Sequence, residues 1–318
     1  MAKLMFDTVT IVGTGVIGRS WIRVFARAGC KVRVFDQDPA QAKRAVDWLA
    51  ADTALDVREG FIDEQTRAHT LANVTLHADL AEAFRGAGFA QESGPENLAA
   101  KRAIYSAMDK AAAPDAILSS STSALDIDAI AGDLPGAARC IMAHPCNPPH
   151  IVPVVEILGT KKTSASVRQA ACDFMTELGQ KPVVLNFFVT GFLLNRIQAA
   201  VVREAFLLVE SGVANAEDID STIKDGLALR WAFIGCFGAN HLNSDGGIKT
   251  YFERYAQTYR DMIADLKNDA PAFAPETMAQ IQRECGFKPG TENIRAFGQW
   301  RDRMILRLKA IKAKHPRP

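Results

Sequence analysis

Along the first half of the chain, short apolar runs alternate with longer segments in which apolar residues recur every three or four positions. That alternation is the pattern of a mostly parallel α/β sheet. Runs at 9–12, 31–35, 74–77, 89–91, 117–119, 140–143, 152–158 and 181–185 predict strands. Helical spacing covers 16–28, 49–71, 80–84, 99–111 and 166–178. From about residue 189 the pattern is helical nearly throughout, at 191–210, 216–226, 246–266, 275–285 and 291–314. Thr190 can cap the first of these. That helix is apolar around most of its circumference, which predicts burial on several sides. The pattern divides the chain into an α/β domain over 1–188 and an all-α domain over 189–318.

Length and composition narrow the class. The 318 residues are 48% hydrophobic and 23% charged, an ordinary globular composition. Thirty-seven Lys and Arg against 36 Asp and Glu leave no basic excess for nucleic acid. Cys30, Cys140, Cys146, Cys172, Cys236 and Cys285 are scattered with no CxxC pair, which reads as reduced thiols and not as a disulfide frame or metal site. The start has no apolar segment of signal-peptide type, and Asn186, Thr190, Gly191, Asn195 and Arg196 interrupt the most apolar later stretch. A cytoplasmic protein without a membrane span is expected.

Chemistry enters at Gly13-Thr14-Gly15-Val16-Ile17-Gly18, a GxGxxG between a strand and a helix. The glycines permit a tight turn and close approach to a pyrophosphate, and the helix start offers N–H donors. Asp36 ends the next strand, 21 residues beyond Gly15, where a carboxylate can hold an adenosine ribose and repel a 2′-phosphate. The domain over 1–188 is therefore read as Rossmann-type, with NAD as cofactor. Residues 119–123 read SSSTS, a cluster that can equally be helix-capping loop hydroxyls. His144 ends an apolar run, and Glu156 sits inside the apolar run Val154 to Leu158. Alone, each is an anomaly, because a buried carboxylate needs a partner. Pairing them resolves both. Asn195 and Arg196 then introduce polar groups into the apolar helix.

These residues resemble the 3-hydroxyacyl-CoA dehydrogenase superfamily, through GTGVIG, SSSTS, the HPCNP segment with Glu156, and GFLLNR. Residues 91–98, 144–149 and 226–235, with His241-Leu242-Asn243, are most similar to its lambda-crystallin and L-gulonate 3-dehydrogenase branch. L-carnitine dehydrogenases look similar around Arg230-Trp231. The resemblance implies a catalytic set of Ser123, His144, Glu156 and Asn195, with Ser123 and Asn195 also holding substrate. It implies cofactor contacts at Glu96 and Lys101. Gly94 departs from the larger residue usual there, which could loosen that loop, and Phe89-Ala90 is a weaker strand than the usual branched run.

The implied reaction is NAD-dependent oxidation of the 3-hydroxyl of a small hydroxy acid, L-gulonate to 3-dehydro-L-gulonate foremost. 3-Hydroxybutyryl-CoA and L-carnitine are the alternatives within the superfamily. A non-catalytic NAD-binding or crystallin-like structural role is the alternative outside it. Arg230 can anchor a substrate carboxylate or pair with Asp220 or Asp225. Asp47, Asp52, Asp56, Glu59, Asp63 and Glu64, against Arg58 and Arg67, disfavour a CoA-binding arm there. Trp231 and Phe233 could contribute to a cage for a trimethylammonium, and His241 could line the pocket or join helices. Apolar helices in the second half predict a homodimer.

Overall fold

The computed structural model describes residues 3–266 and 269–316 and separates into two compact units, Met1–Leu194 and Asn195–Pro318. The first unit is built on β1 (Thr8–Val12), β2 (Lys31–Phe35), β3 (Val74–His77), β4 (Phe89–Glu92), β5 (Ile117–Ser120), β6 (Cys140–Pro145), β7 (Val154–Gly159) and β8 (Lys181–Val184). They form one sheet in the order β3-β2-β1-β4-β5-β6-β7-β8. Every pairing is parallel except β6 with β7. The strand order reverses between β1 and β4, and ligands of such sheets bind at the carboxyl ends beside that switch.

Helices α1 (Val16–Ala28), α2 (Pro39–Arg58), α3 (Glu64–Ala72), α4 (Leu80–Phe84), α5 (Leu98–Ala111), α6 (Ile127–Ala131) and α7 (Ala165–Glu177) accompany the sheet. Polar side chains cap most of them: Asp38, Asp63, Asp79, Asn97, Asp126 and Ser164 each accept a first-turn N–H. The helix predicted over 49–71 is two helices. Gly60, at φ 75°, breaks the chain after Arg58, and Asp63 starts α3 afresh. On one face of the sheet α1 buries Trp21 and Phe25, which stack on each other; Phe25 also stacks on Phe174 of α7.

The second unit contains α8 (Leu194–Glu210), α9 (Ala216–Ser221), α10 (Ala228–His241), α11 (Gly247–Asp265), α12 (Pro275–Glu284) and α13 (Thr291–Lys314), with a π-helical turn at Thr222–Leu227. Two expectations need correction. Gly191 and Phe192 adopt left-handed φ of 77° and 51°, so the helix predicted from 191 begins at Leu194 and Thr190 does not cap it. Along α8 only Val209 is buried, and Ile197 is 66% exposed, so burial on several sides is not achieved within this chain. The pattern reading also missed α10, whose run of apolar residues has no polar face to reveal its period. Among the described residues no helix is long and apolar enough to cross a membrane.

Candidate active site

The turn after β1 is a cradle shaped by missing side chains. Gly13 has φ 89°, and a Cβ there would lie 2.9 Å from the backbone of Ser93 and Gly94. A Cβ on Gly18 would come within 2.0 Å of the Gly13 carbonyl oxygen, so the third glycine lets α1 close on the turn. Gly15 precedes the first residue of α1 with open space at its Cβ position, where a phosphate can reach the helix's first N–H groups. Val16 is 54% exposed over that space, while Ile17 packs into the core. The adjoining cleft is about 800 Å³ and runs past Thr14, Phe35, Asp36, Gln41 and Pro95. It falls in the range of small-molecule sites.

Asp36 lies at the mouth of this cleft. Its Oδ2 accepts from both the N–H and the hydroxyl of Thr14, each at 2.7 Å, and Oδ1 accepts from Asp38 N–H at 2.9 Å. The carboxylate keeps acceptor capacity for ribose hydroxyls. Arg33, the basic residue nearest in sequence, donates instead to the carbonyls of Glu82 and Ala83. The cradle therefore fits a dinucleotide with an unphosphorylated ribose.

Sequence reasoning passed over Glu92, which organises the far side of the cradle. It is fully buried and accepts from Gly94 N–H (2.6 Å), the Ser120 hydroxyl (2.6 Å) and the Lys101 ammonium (3.0 and 3.1 Å). Lys101 is only 1% exposed, and its Nζ lies 3.4 Å from Glu96. The lysine thus braces two carboxylates. At Gly94 a Cβ would lie 2.7 Å from the end of the Ile104 side chain and 3.0 Å from Glu92.

Glu96 carries the network to the serine segment. Its Oε1 accepts from the Thr122 hydroxyl (2.6 Å) and the N–H groups of Ser123 (2.9 Å) and Ala124 (3.0 Å). Burial pushes the Glu96 carboxyl up, but the Thr122 hydroxyl, the Lys101 charge and those N–H groups outweigh it and hold it below the usual value. Ser121 accepts from Trp21 and Gln91. Ser120, Ser121 and Thr122 are therefore loop wiring, whereas Ser123 stands partly exposed at the carboxyl edge of the sheet.

On the neighbouring strand the two anomalies meet. The antiparallel register of β6 and β7 puts His144 directly opposite Glu156. His144 Nδ1 lies 2.7 Å from Glu156 Oε2, with His144 6% and Glu156 1% exposed. Glu156 Oε1 accepts the main-chain N–H groups of Leu193 (2.7 Å) and Leu194 (3.0 Å). Burial pushes this carboxyl up, but the His144 hydrogen bond and the two N–H groups outweigh it and hold it below the usual carboxylate value. Phe192, fully buried, packs its ring 5.3 Å from the imidazole. Nothing in the sequence flagged Phe192, because its contact depends on a left-handed backbone.

The remaining candidates belong to the helical unit. Asn195 is on the first turn of α8, one residue past the last N–H that Glu156 accepts. Arg230 is on α10, exposed, and among the described residues no ion pair involves it; Asp225 faces Lys224 instead. His241 accepts the Ile248 N–H at the start of α11, an interhelical bond. Lys312 sits 6.0 Å over the Phe233 ring and so occupies one face of the aromatic group considered for a cage. The acidic arm also changes meaning. Asp52 and Asp56 both pair with buried Arg23 of α1, and Asp47 with Lys43, so its charge is largely met and does not weigh against CoA.

Comparison with known proteins fits this arrangement. The profile of the 3-hydroxyacyl-CoA dehydrogenase NAD binding domain matches residues 8–187, and that of the C-terminal domain matches 191–280. The chain is 37% identical to the bovine (Bos taurus) lambda-crystallin homolog over 97% of its own length and 96% of the relative's. It is 31% identical to an L-carnitine dehydrogenase of Bacillus cereus, covering 99% of this chain and 95% of that one. Among solved structures, 5-formyl-3-hydroxy-2-methylpyridine 4-carboxylic acid 5-dehydrogenase, an NAD+-dependent dismutase, superposes with a TM-score of 0.82 at 27% identity. That match covers 96% of this chain and 98% of the other.

Proposed function

Because the chain belongs to the 3-hydroxyacyl-CoA dehydrogenase family and is an NAD-dependent oxidoreductase acting on a hydroxyl group, we propose that its substrate is a small free hydroxy acid, L-gulonate foremost, oxidised at its 3-hydroxyl. The observation that carries the reading is the buried His144–Glu156 pair at the carboxyl edge of the sheet that also bears the dinucleotide cradle. With Nδ1 turned to Glu156, His144 has Nε2 left to take the hydroxyl proton. Bound NAD supplies the hydride acceptor, at C4 of its nicotinamide. Glu156 stabilises the imidazolium that results. Ser123 and Asn195 hold the reacting oxygen by hydrogen bonds, Glu96 and Lys101 fix the loop carrying Ser123, and Asp36 takes the ribose.

Arg230, without an acidic partner among the described residues, is the proposed anchor for the substrate carboxylate, since an arginine fork matches a carboxylate bidentately. Two similar proteins are described as acting on free carboxylates, L-carnitine and a pyridine carboxylic acid, which supports this class. The lysine over Phe233 weighs against carnitine here. A purely structural role would leave the buried His–Glu pair without a purpose. We also infer a homodimer assembled through the helical unit, from the apolar side chains that unit leaves uncovered, and a cytoplasmic setting from six free cysteines. The test is NADH formation from L-gulonate, L-carnitine, 3-hydroxybutyrate and 3-hydroxybutyryl-CoA. Highest kcat/KM with L-gulonate is expected. Preference for the CoA ester overturns the free-acid reading, and no turnover of any of the four removes the proposed oxidation.

A further inference from the structure

Glu156 turns one of its oxygens to His144. The other is bound by two main-chain donors, Leu193 and Leu194 N–H, at the entrance to α8. Their aim is set by backbone conformation. Gly191 (φ 77°) and Phe192 (φ 51°) turn the chain sharply, and Phe192 N–H donates to the Val189 carbonyl at 2.9 Å. The turn directs the next two N–H groups back at the carboxylate, while the Phe192 ring is wedged against His144. Left-handed φ at a phenylalanine is uncommon and persists only where its surroundings enforce it.

Resting on the reading of His144 as the base, we propose that the Leu193 and Leu194 N–H groups are positioning groups that fix which end of the residue-156 side chain faces His144. They claim Glu156 Oε1 as an acceptor, so whatever stands at position 156 must present its remaining atom to His144 Nδ1. In the native chain that atom is a carboxylate oxygen. It accepts the Nδ1 proton and leaves the Nε2 lone pair free for the substrate hydroxyl.

Glu156→Gln separates this from a carboxylate acting alone. A glutamine has one acceptor and one donor end. If the two N–H groups govern, the Gln oxygen must face them, since the alternative crowds its NH₂ against two buried donors. Its NH₂ then faces His144 Nδ1, which must accept, and the ring proton moves to Nε2. If they do not govern, the Gln oxygen turns to His144 and the native tautomer survives.

The experiment is ¹⁵N NMR of histidine-labelled full-length protein at about pH 8, above the ordinary histidine range, with His144 assigned by comparison with His144→Gln. Nδ1–H is expected in the wild type and Nε2–H in Glu156→Gln, with kcat lowered about 10⁴-fold, the scale seen when a wrong tautomer is imposed elsewhere. Retention of Nδ1–H in Glu156→Gln overturns the proposal. Should that variant fail to fold, a pH titration of the wild type decides. The backbone amide signals of Leu193 and Leu194 are expected to shift with the same midpoint as the His144 ring. Amides that do not follow the ring overturn it. The ring tautomer and the amide shifts are read without substrate, so their outcome stands apart from the hydroxy-acid assay.

Discussion

In the α/β unit Trp21, Phe25, Phe89 and Phe174 are fully buried, whereas in the helical unit Phe237 is 74%, Phe297 56% and Trp300 54% exposed. Among the described residues, the helical unit's buried aliphatic core reduces to Val209, Ala216 and Ala239. The sheet supplies a flat apolar face that α1 and α7 can cover from within the same chain. The helices of the second unit leave many of their apolar side chains exposed. The first unit holds the buried His144–Glu156 pair and the dinucleotide cradle, whereas the second leaves large apolar side chains exposed. A second copy is the proposed cover, because contiguous apolar surface of this kind marks an interface.

The division of labour can be broken most forcefully at His144. His144→Gln is expected to lower kcat by about 10²–10⁴-fold or more, the usual worth of a positioned general base, with NAD affinity by fluorescence titration nearly unchanged. Unaltered turnover would remove His144 from the mechanism. A substitution in the other unit should act on a different constant. Arg230→Met is expected to raise KM for the hydroxy acid roughly 10–100-fold, the loss of a charge-assisted pair, while kcat with saturating substrate moves less. A KM that stays put would leave Arg230 without a substrate role.

Smaller effects sharpen the contrast in stability. Phe237→Glu places a charge on the uncovered helical face and should weaken self-association by about 1–2 kcal/mol, read by light scattering across a dilution series. A mass indifferent to this change would move the interface elsewhere. Glu156 has a folded pKa depressed below its unfolded value, so its contribution is fully present above the ordinary carboxylate value and is lost as pH falls through the depressed one. The Tm difference between wild type and Glu156→Gln should therefore shrink as pH is lowered from about 6 to about 3. A constant difference would mean that Glu156 is not held low.

Much of the α/β unit was legible because its signals are local. A strand followed by GxGxxG needs only neighbouring residues to be read, and NAD followed from Asp36 with no basic residue after it. His144 and Glu156 could be paired because each violated the apolar pattern around it, and one violation answered the other. Glu92 and Lys101 escaped this logic. Glu92 ends a strand without looking anomalous, and Lys101 sits on an amphipathic helix where a lysine normally faces water. Only the packing of β4 against α5 reveals that both are buried. The acidic count over Asp47 to Glu64 misled for a related reason: Arg23, which neutralises Asp52 and Asp56, is about 30 residues away on α1.

By itself the sequence determined the class of sheet, the cofactor and the pairing of His144 with Glu156, since each is encoded in residue type and short spacing. Tertiary structure alone decided that Glu156 uses both oxygens, that Phe192 buttresses the imidazole, and that Gly94 N–H donates to buried Glu92. Those outcomes depend on backbone angles and on which distant groups share a buried volume. Neither is written in the order of hydrophobic and polar positions along the chain.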